Sequence, residues 1–165
     1  MSRLEPPELG RRLDLILGAA ERMVREIPED AMDDRLRTDA FRLFRLGLAF
    51  ADGMDLGRVV PAWGEEAAPG DLRDGAAIAR YGALVRGRLA GWFDGASPRE
   101  FTRVIAVHDG PRSGHEVLER VTADAARRLR VLHAALVAAG RPPRPPLPAD
   151  ALEGLPAVAP LWPSA

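Results

Sequence analysis

Leu9, Leu13, Ile16, Leu17, Ala20, Met23, Val24 and Ile27 recur at steps of three and four residues, the spacing that lines one face of an α-helix with apolar side chains. The pattern returns three times. Phe41, Leu43, Phe44, Leu46, Leu48 and Phe50 predict a helix from about Thr38 to Met54 that is apolar around most of its girth. Ile78, Tyr81, Val85, Leu89 and Trp92 predict a third, beginning at Asp71 or Asp74 and running to Phe93. Val117, Val121, Ala125, Leu129, Leu132 and Leu136 predict a fourth, to about Ala139. A helix with one apolar face is marginal alone, so four of them in one chain call for a shared core. Val104-Ile105-Ala106-Val107 is the one β-like run, too short for a sheet domain. The expected fold class is therefore all-α: an antiparallel, up-down four-helix bundle. It is expected as a single domain over 1–165, with the bundle at 6–140 and a Pro-rich C-terminal extension at 141–165.

Breaks and caps agree with this division. Pro6-Pro7 suits a helix start, where a missing N–H costs nothing, and Pro28 closes the first segment. Gly53 and Gly57 end the second, and Gly140 the fourth. Ser113-Gly114-His115-Glu116 has the form of a capping box, in which Ser and Glu each satisfy a free backbone N–H. Ser97-Pro98-Arg99-Glu100 has the same form and predicts a short turn. After Arg141 the chain carries a stiff Pro-rich run and then Leu147, Leu152, Leu155, Leu161 and Trp162. Such a tail is too apolar for a free linker and is expected to pack on the bundle, with one short helix around Ala149–Leu152.

Composition narrows the chemistry. The chain has 165 residues, 47% apolar and 28% charged, with a formal net charge of −1, so no overall positive field argues for nucleic acid. It contains no Cys, which removes disulfides, thiolate nucleophiles and Cys-based metal centres. All 23 basic side chains are Arg, which removes Schiff-base chemistry. No stretch reaches the roughly 20 apolar residues of a membrane span. Met1 to Pro7 lack the apolar run of a signal peptide, so a cytoplasmic location is expected. No phosphate-binding Gly loop or nucleophile elbow occurs. His108, His115 and His133 have no metal-like spacing. His108 beside the turn signal Asp109-Gly110 reads as a surface residue, and His133 as a solvated or interface one. Arg127-Arg128-Leu129-Arg130 is basic but has acidic neighbours and no aromatic platform.

The stretch from Ser113-Gly114-His115-Glu116 through Leu132, followed by Gly140 and Leu152-Glu153-Gly154-Leu155-Pro156, resembles the DinB-like superfamily. So do Phe41-Arg42-Leu43-Phe44-Arg45-Leu46 with Ala49 to Asp52, and Ile78-Ala79-Arg80-Tyr81-Gly82 with Val85-Arg86. These are small four-helix proteins that include metal-dependent, thiol-cofactor S-transferases, and members commonly pair as homodimers. Their metal-binding members supply one His on the second helix and two, spaced i, i+4, on the fourth. Two such imidazoles share a helix face, and a third from a facing helix completes the set. By this resemblance the three positions fall on Arg42, Asp124 and Arg128. A guanidinium has no lone pair to donate, so no metal is expected here.

The resemblance instead implies an Arg42–Asp124–Arg128 cluster across the bundle. A spare guanidinium fork in it would take a carboxylate, phosphate or sulfonate, and the plain alternative is a salt-bridge triad satisfied by itself. Arg45, on the strip Thr38, Arg42, Arg45, Ala49 and Asp52 that breaks the apolar girth of the second helix, and Tyr81, on the inner stripe of the third, join the expected ligand-binding set. His115 and Asp124 are the candidate proton carriers, since the positive end of a helix dipole favours neutral imidazole. Three functions are carried forward: a binding protein for a small anion, a metal-independent thiol-adduct S-transferase or isomerase using a low-molecular-weight thiol, and a non-catalytic scaffold acting through a partner. A homodimer without nucleic acid or membrane contact is expected in each.

Overall fold

The computed structural model describes residues 3–163. Its long elements are α1 (Pro6–Val24), α2 (Asp34–Leu56), α3 (Gly75–Gly95) and α4 (Gly114–Ala138). A hairpin of β1 (Val104–Val107) and β2 (Gly110–Ser113) separates α3 from α4, and one turn of helix, α5 (Ala149–Leu152), interrupts the tail. Among the described residues no helix is long and apolar enough to cross a membrane.

Capping decides where the helices begin. Asp33 accepts the Leu36 N–H at 2.8 Å, which starts α2 four residues before the apolar spacing alone suggests. Asp74 accepts the Ala77 N–H at 2.8 Å and so starts α3, leaving Asp71 outside. At α4 the Ser113 hydroxyl oxygen accepts the Glu116 N–H at 3.1 Å and donates to the Glu116 carboxylate at 3.3 Å. Ser97 makes no side-chain cap, and Pro98–Phe101 forms only a 3₁₀ turn.

α1 packs against α3 and α4, and so does α2, around one core that includes Leu9, Leu13, Phe44, Phe50, Ile78 and Leu118. The directions depart from strict alternation. Gly75 at the start of α3 abuts Val24 at the end of α1, while Phe93 lies against Gly10, so α1 and α3 are antiparallel. Tyr81 stacks on Phe41 and Trp92 meets Phe50, so α2 and α3 run parallel. The Arg3–Glu119 pair brings the starts of α1 and α4 together, and they too are parallel. The order is up, down, down, up. The connection over 57–74 makes this feasible, because an extended residue spans roughly 3.3 Å against 1.5 Å in a helix.

The β-like run finds a partner close by in the chain. Val107 pairs with Gly110 and Val104 with Ser113 across a His108-Asp109 turn, and Gly110 takes φ +120°. Ile105 and Val107 point into the core. Asp109 fixes the turn to α4, accepting from Arg120 at 2.8 and 3.0 Å. Arg120 is buried, and its fork holds the Asp109 carboxyl well below the usual carboxylate range. A depressed carboxyl stabilises fully above its unfolded-state pKa and loses that contribution only as pH falls towards the folded value. Asp109→Asn is therefore expected to lower the urea midpoint by a constant amount between neutral pH and about pH 5, the gap closing below about pH 4. A gap that widens on acidification would contradict the assignment.

The tail packs on the helices. α5 lies against α1, where the Arg12 guanidinium donates to the Glu153 carbonyl. Leu161 and Trp162 are buried, and a Cβ at Gly64 would come within 2.7 Å of the Trp162 ring. His108 hydrogen-bonds through Nε2 to the Pro160 carbonyl at 3.2 Å.

Candidate functional site

Arg42 on α2 and Arg128 on α4 line one cavity of about 930 Å³. The turn at Pro61–Glu65 and the end of the tail, with Trp162, close its sides. Asp124, one helical turn before Arg128, shares the cavity. The three positions that the resemblance selects thus meet at one place. They do not form the expected triad. Asp124 is buried, its Oδ2 accepts the Leu161 N–H at 2.8 Å, and its Oδ1 pairs with Arg127. Both carboxylate oxygens are engaged, and the i, i+4 pair with Arg128 gives way to an i, i+3 pair.

That leaves two cations without a pair among the described residues. Among the described residues neither Arg42 nor Arg128 has a carboxylate within ion-pair distance, and Arg42 Nε is buried with no hydrogen-bond partner. Burial, then the nearby Arg42 charge, pushes the Arg128 guanidinium below its usual pKa, while Asp39 opposes this in part. Arg42, Arg127 and Arg128 share the cavity with Asp39, Glu65 and Asp124, so the lining charges are equal in number, but among the described residues neither Arg42 nor Arg128 is paired with a carboxylate.

The remaining candidates lie elsewhere. Arg45 is buried but turned away, bonded to Glu66 at 3.0 and 3.4 Å, with its guanidinium 5.0 Å from the Trp63 ring centre. Tyr81 is half-buried between Phe41 at 5.3 Å and Phe44 at 6.3 Å, and burial raises its pKa. His115 lines a different cavity. Its Nε2 lies 2.8 Å from the Leu4 carbonyl, which can only accept, so Nε2 carries the proton and anchors the N-terminal segment. Conversely, Arg127, Asp39, Glu65 and Trp162 belong to the Arg42 cavity and were not expected there from sequence. Arg127 had a legible signal, since i, i+3 neighbours of a helical carboxylate can reach it. Trp162 had none.

Among the described residues no group of three or more His, Cys, Asp or Glu is arranged to hold a metal ion. At the positions that bind metal in the resembled family, two guanidiniums and an engaged carboxylate do not fit a divalent cation. Compared with known proteins, the chain matches no family model, no curated protein and no solved structure.

Proposed function

We propose that this chain is a divergent DinB-like four-helix protein without the metal site, and that it binds a small anionic molecule between Arg42 and Arg128. The observation that carries the reading is the pair of guanidiniums, unpaired among the described residues, that line one cavity. Both guanidiniums are half-buried, and Arg42 Nε is a buried donor with no partner among the described residues; a carboxylate, phosphate or sulfonate would satisfy such donors through paired N–H···O bonds. Trp162 and Val131 offer apolar surface to the rest of such a molecule. Binding is favoured over thiol-adduct transfer because Asp124 has no free oxygen and His115 lines another cavity. A cytoplasmic homodimer remains part of this reading.

Thermal unfolding tests it. Inorganic phosphate, succinate and methanesulfonate, each compared with chloride at equal ionic strength, are expected to include at least one anion that raises Tm. At about 100 times Kd the rise corresponds to roughly 3 kcal/mol of added stability. Arg42→Ala and Arg128→Ala should lose the response. No response to any of the three, or an undiminished response in both variants, would overturn the proposal.

A further inference from the structure

A second cavity, of about 710 Å³, opens between the first half of α1 and the end of α3, next to the 3₁₀ turn Pro98–Phe101. Its walls are apolar: Pro6, Leu13, Leu89, Phe93 and Phe101 line it. The Phe93 and Phe101 rings stack with centroids 6.2 Å apart. Phe93 reaches this place because α1 has no side chain opposite it, a Cβ at Gly10 falling 2.9 Å from the ring.

The charges at its edge are unequal. Arg11 is held by both oxygens of Glu8, at 2.6 and 2.8 Å, and Asp14 by Arg86, at 2.8 and 3.1 Å. These cancel in place. Glu5 and Asp94 also line the cavity, and among the described residues neither has an ion-pair partner. His115 also lines the cavity, its Nε2–H committed to Leu4, and in the neutral imidazole Nδ1 is left as an acceptor. Aromatic walls, two uncompensated carboxylates and an imidazole acceptor are complementary to positive charge on an apolar body, and a ring face itself attracts a cation.

We infer that this cavity binds a small organic cation, a protonated amine carrying an aryl or alkyl group. The apolar group lies against Phe93 and Phe101, and the ammonium sits at the Glu5 and Asp94 edge. The volume falls in the range of sites that enclose most of a small molecule. This cavity shares no lining residue with the one containing Arg42, so the inference stands apart from the anion-binding proposal.

Calorimetric titration of the full chain with phenethylammonium, 2-phenylethanol and phenylacetate tests it. The ammonium is expected to bind about tenfold or more tightly than the neutral alcohol, and phenylacetate most weakly. Glu5→Gln with Asp94→Asn, both at exposed positions, should weaken ammonium binding about fivefold or more while leaving the alcohol unchanged. Arg42→Ala should leave both unchanged. Equal affinity for ammonium and alcohol, or no ammonium binding up to about 10 mM, would overturn the inference. So would a stable dimer, seen by sedimentation, that covers the cavity and excludes the amine, the occupant then being a second copy of the chain.

Discussion

Phe44→Ala is expected to destabilise the protein by about 3–5 kcal/mol, the range for truncating a fully buried Phe. The ring has no exposed surface. It meets Tyr81 edge-on at 6.3 Å and rests on Gly82, where a Cβ would come within 2.5 Å of it. Removing it therefore opens a void between α2 and α3 that their backbones cannot close. At roughly 2–4 °C per kcal/mol for a chain of this size, Tm should fall by about 10 °C. Gly82→Ala gives the internal control. In the native background the added methyl strikes the ring and should destabilise, despite the better helix propensity of Ala. With Phe44→Ala the same methyl enters vacated space, so the double-mutant cycle should be non-additive and favourable. Additive effects would mean that the ring and Gly82 are not in contact.

Gly75→Ala is expected to cost about 3 kcal/mol, at the upper end for overpacking a core. Gly75 opens α3 and donates its N–H to the Ile27 carbonyl at 2.8 Å. A Cβ there would fall 1.6 Å from the Val24 carbonyl oxygen and 2.8 Å from its carbon. Both are backbone atoms, so no rotamer change relieves the overlap and the end of α1 must separate from α3. Urea unfolding should report the loss with an unchanged m-value, since the native state stays compact. A change below about 1 kcal/mol would show that the two helices approach less closely than described.

The apolar stripes made the helices legible, because a period of 3.6 residues leaves no competing element. Helix direction was not legible. Periodicity carries no polarity, and the connection over 57–74 permits α2 and α3 to run either way. The early start of α2 escaped the apolar pattern since the Asp33 cap and the residues after it are polar. For the site, the resemblance selected Arg42, Asp124 and Arg128, which share a cavity, while their pairing did not follow from spacing. Asp124 is captured by the Leu161 N–H, 37 residues further along the chain, and no local pattern predicts that contact. Helix geometry explains two of the three strays. Arg45, three residues beyond Arg42, is rotated about 60° around α2, enough to reach Glu66. His115 precedes Asp124 by nine residues, about 13 Å along α4, and so belongs to the other end of the bundle.

Of the charged residues lining the cavity, Arg42, Arg128 and Glu65 have no ion-pair partner among the described residues. Arg127 is neutralised by Asp124, and the tail is tied to the same carboxylate. An anion entering between Arg42 and Arg128 would meet donors with no ion pair to break among the described residues. The most direct measurement is a calorimetric titration of inorganic phosphate into the native protein, Arg42→Ala and Arg128→Ala at low ionic strength. One site is expected in the native protein, weakened about tenfold or more in each variant. Equal affinity in all three proteins, or no heat of binding in the native one, would contradict the account.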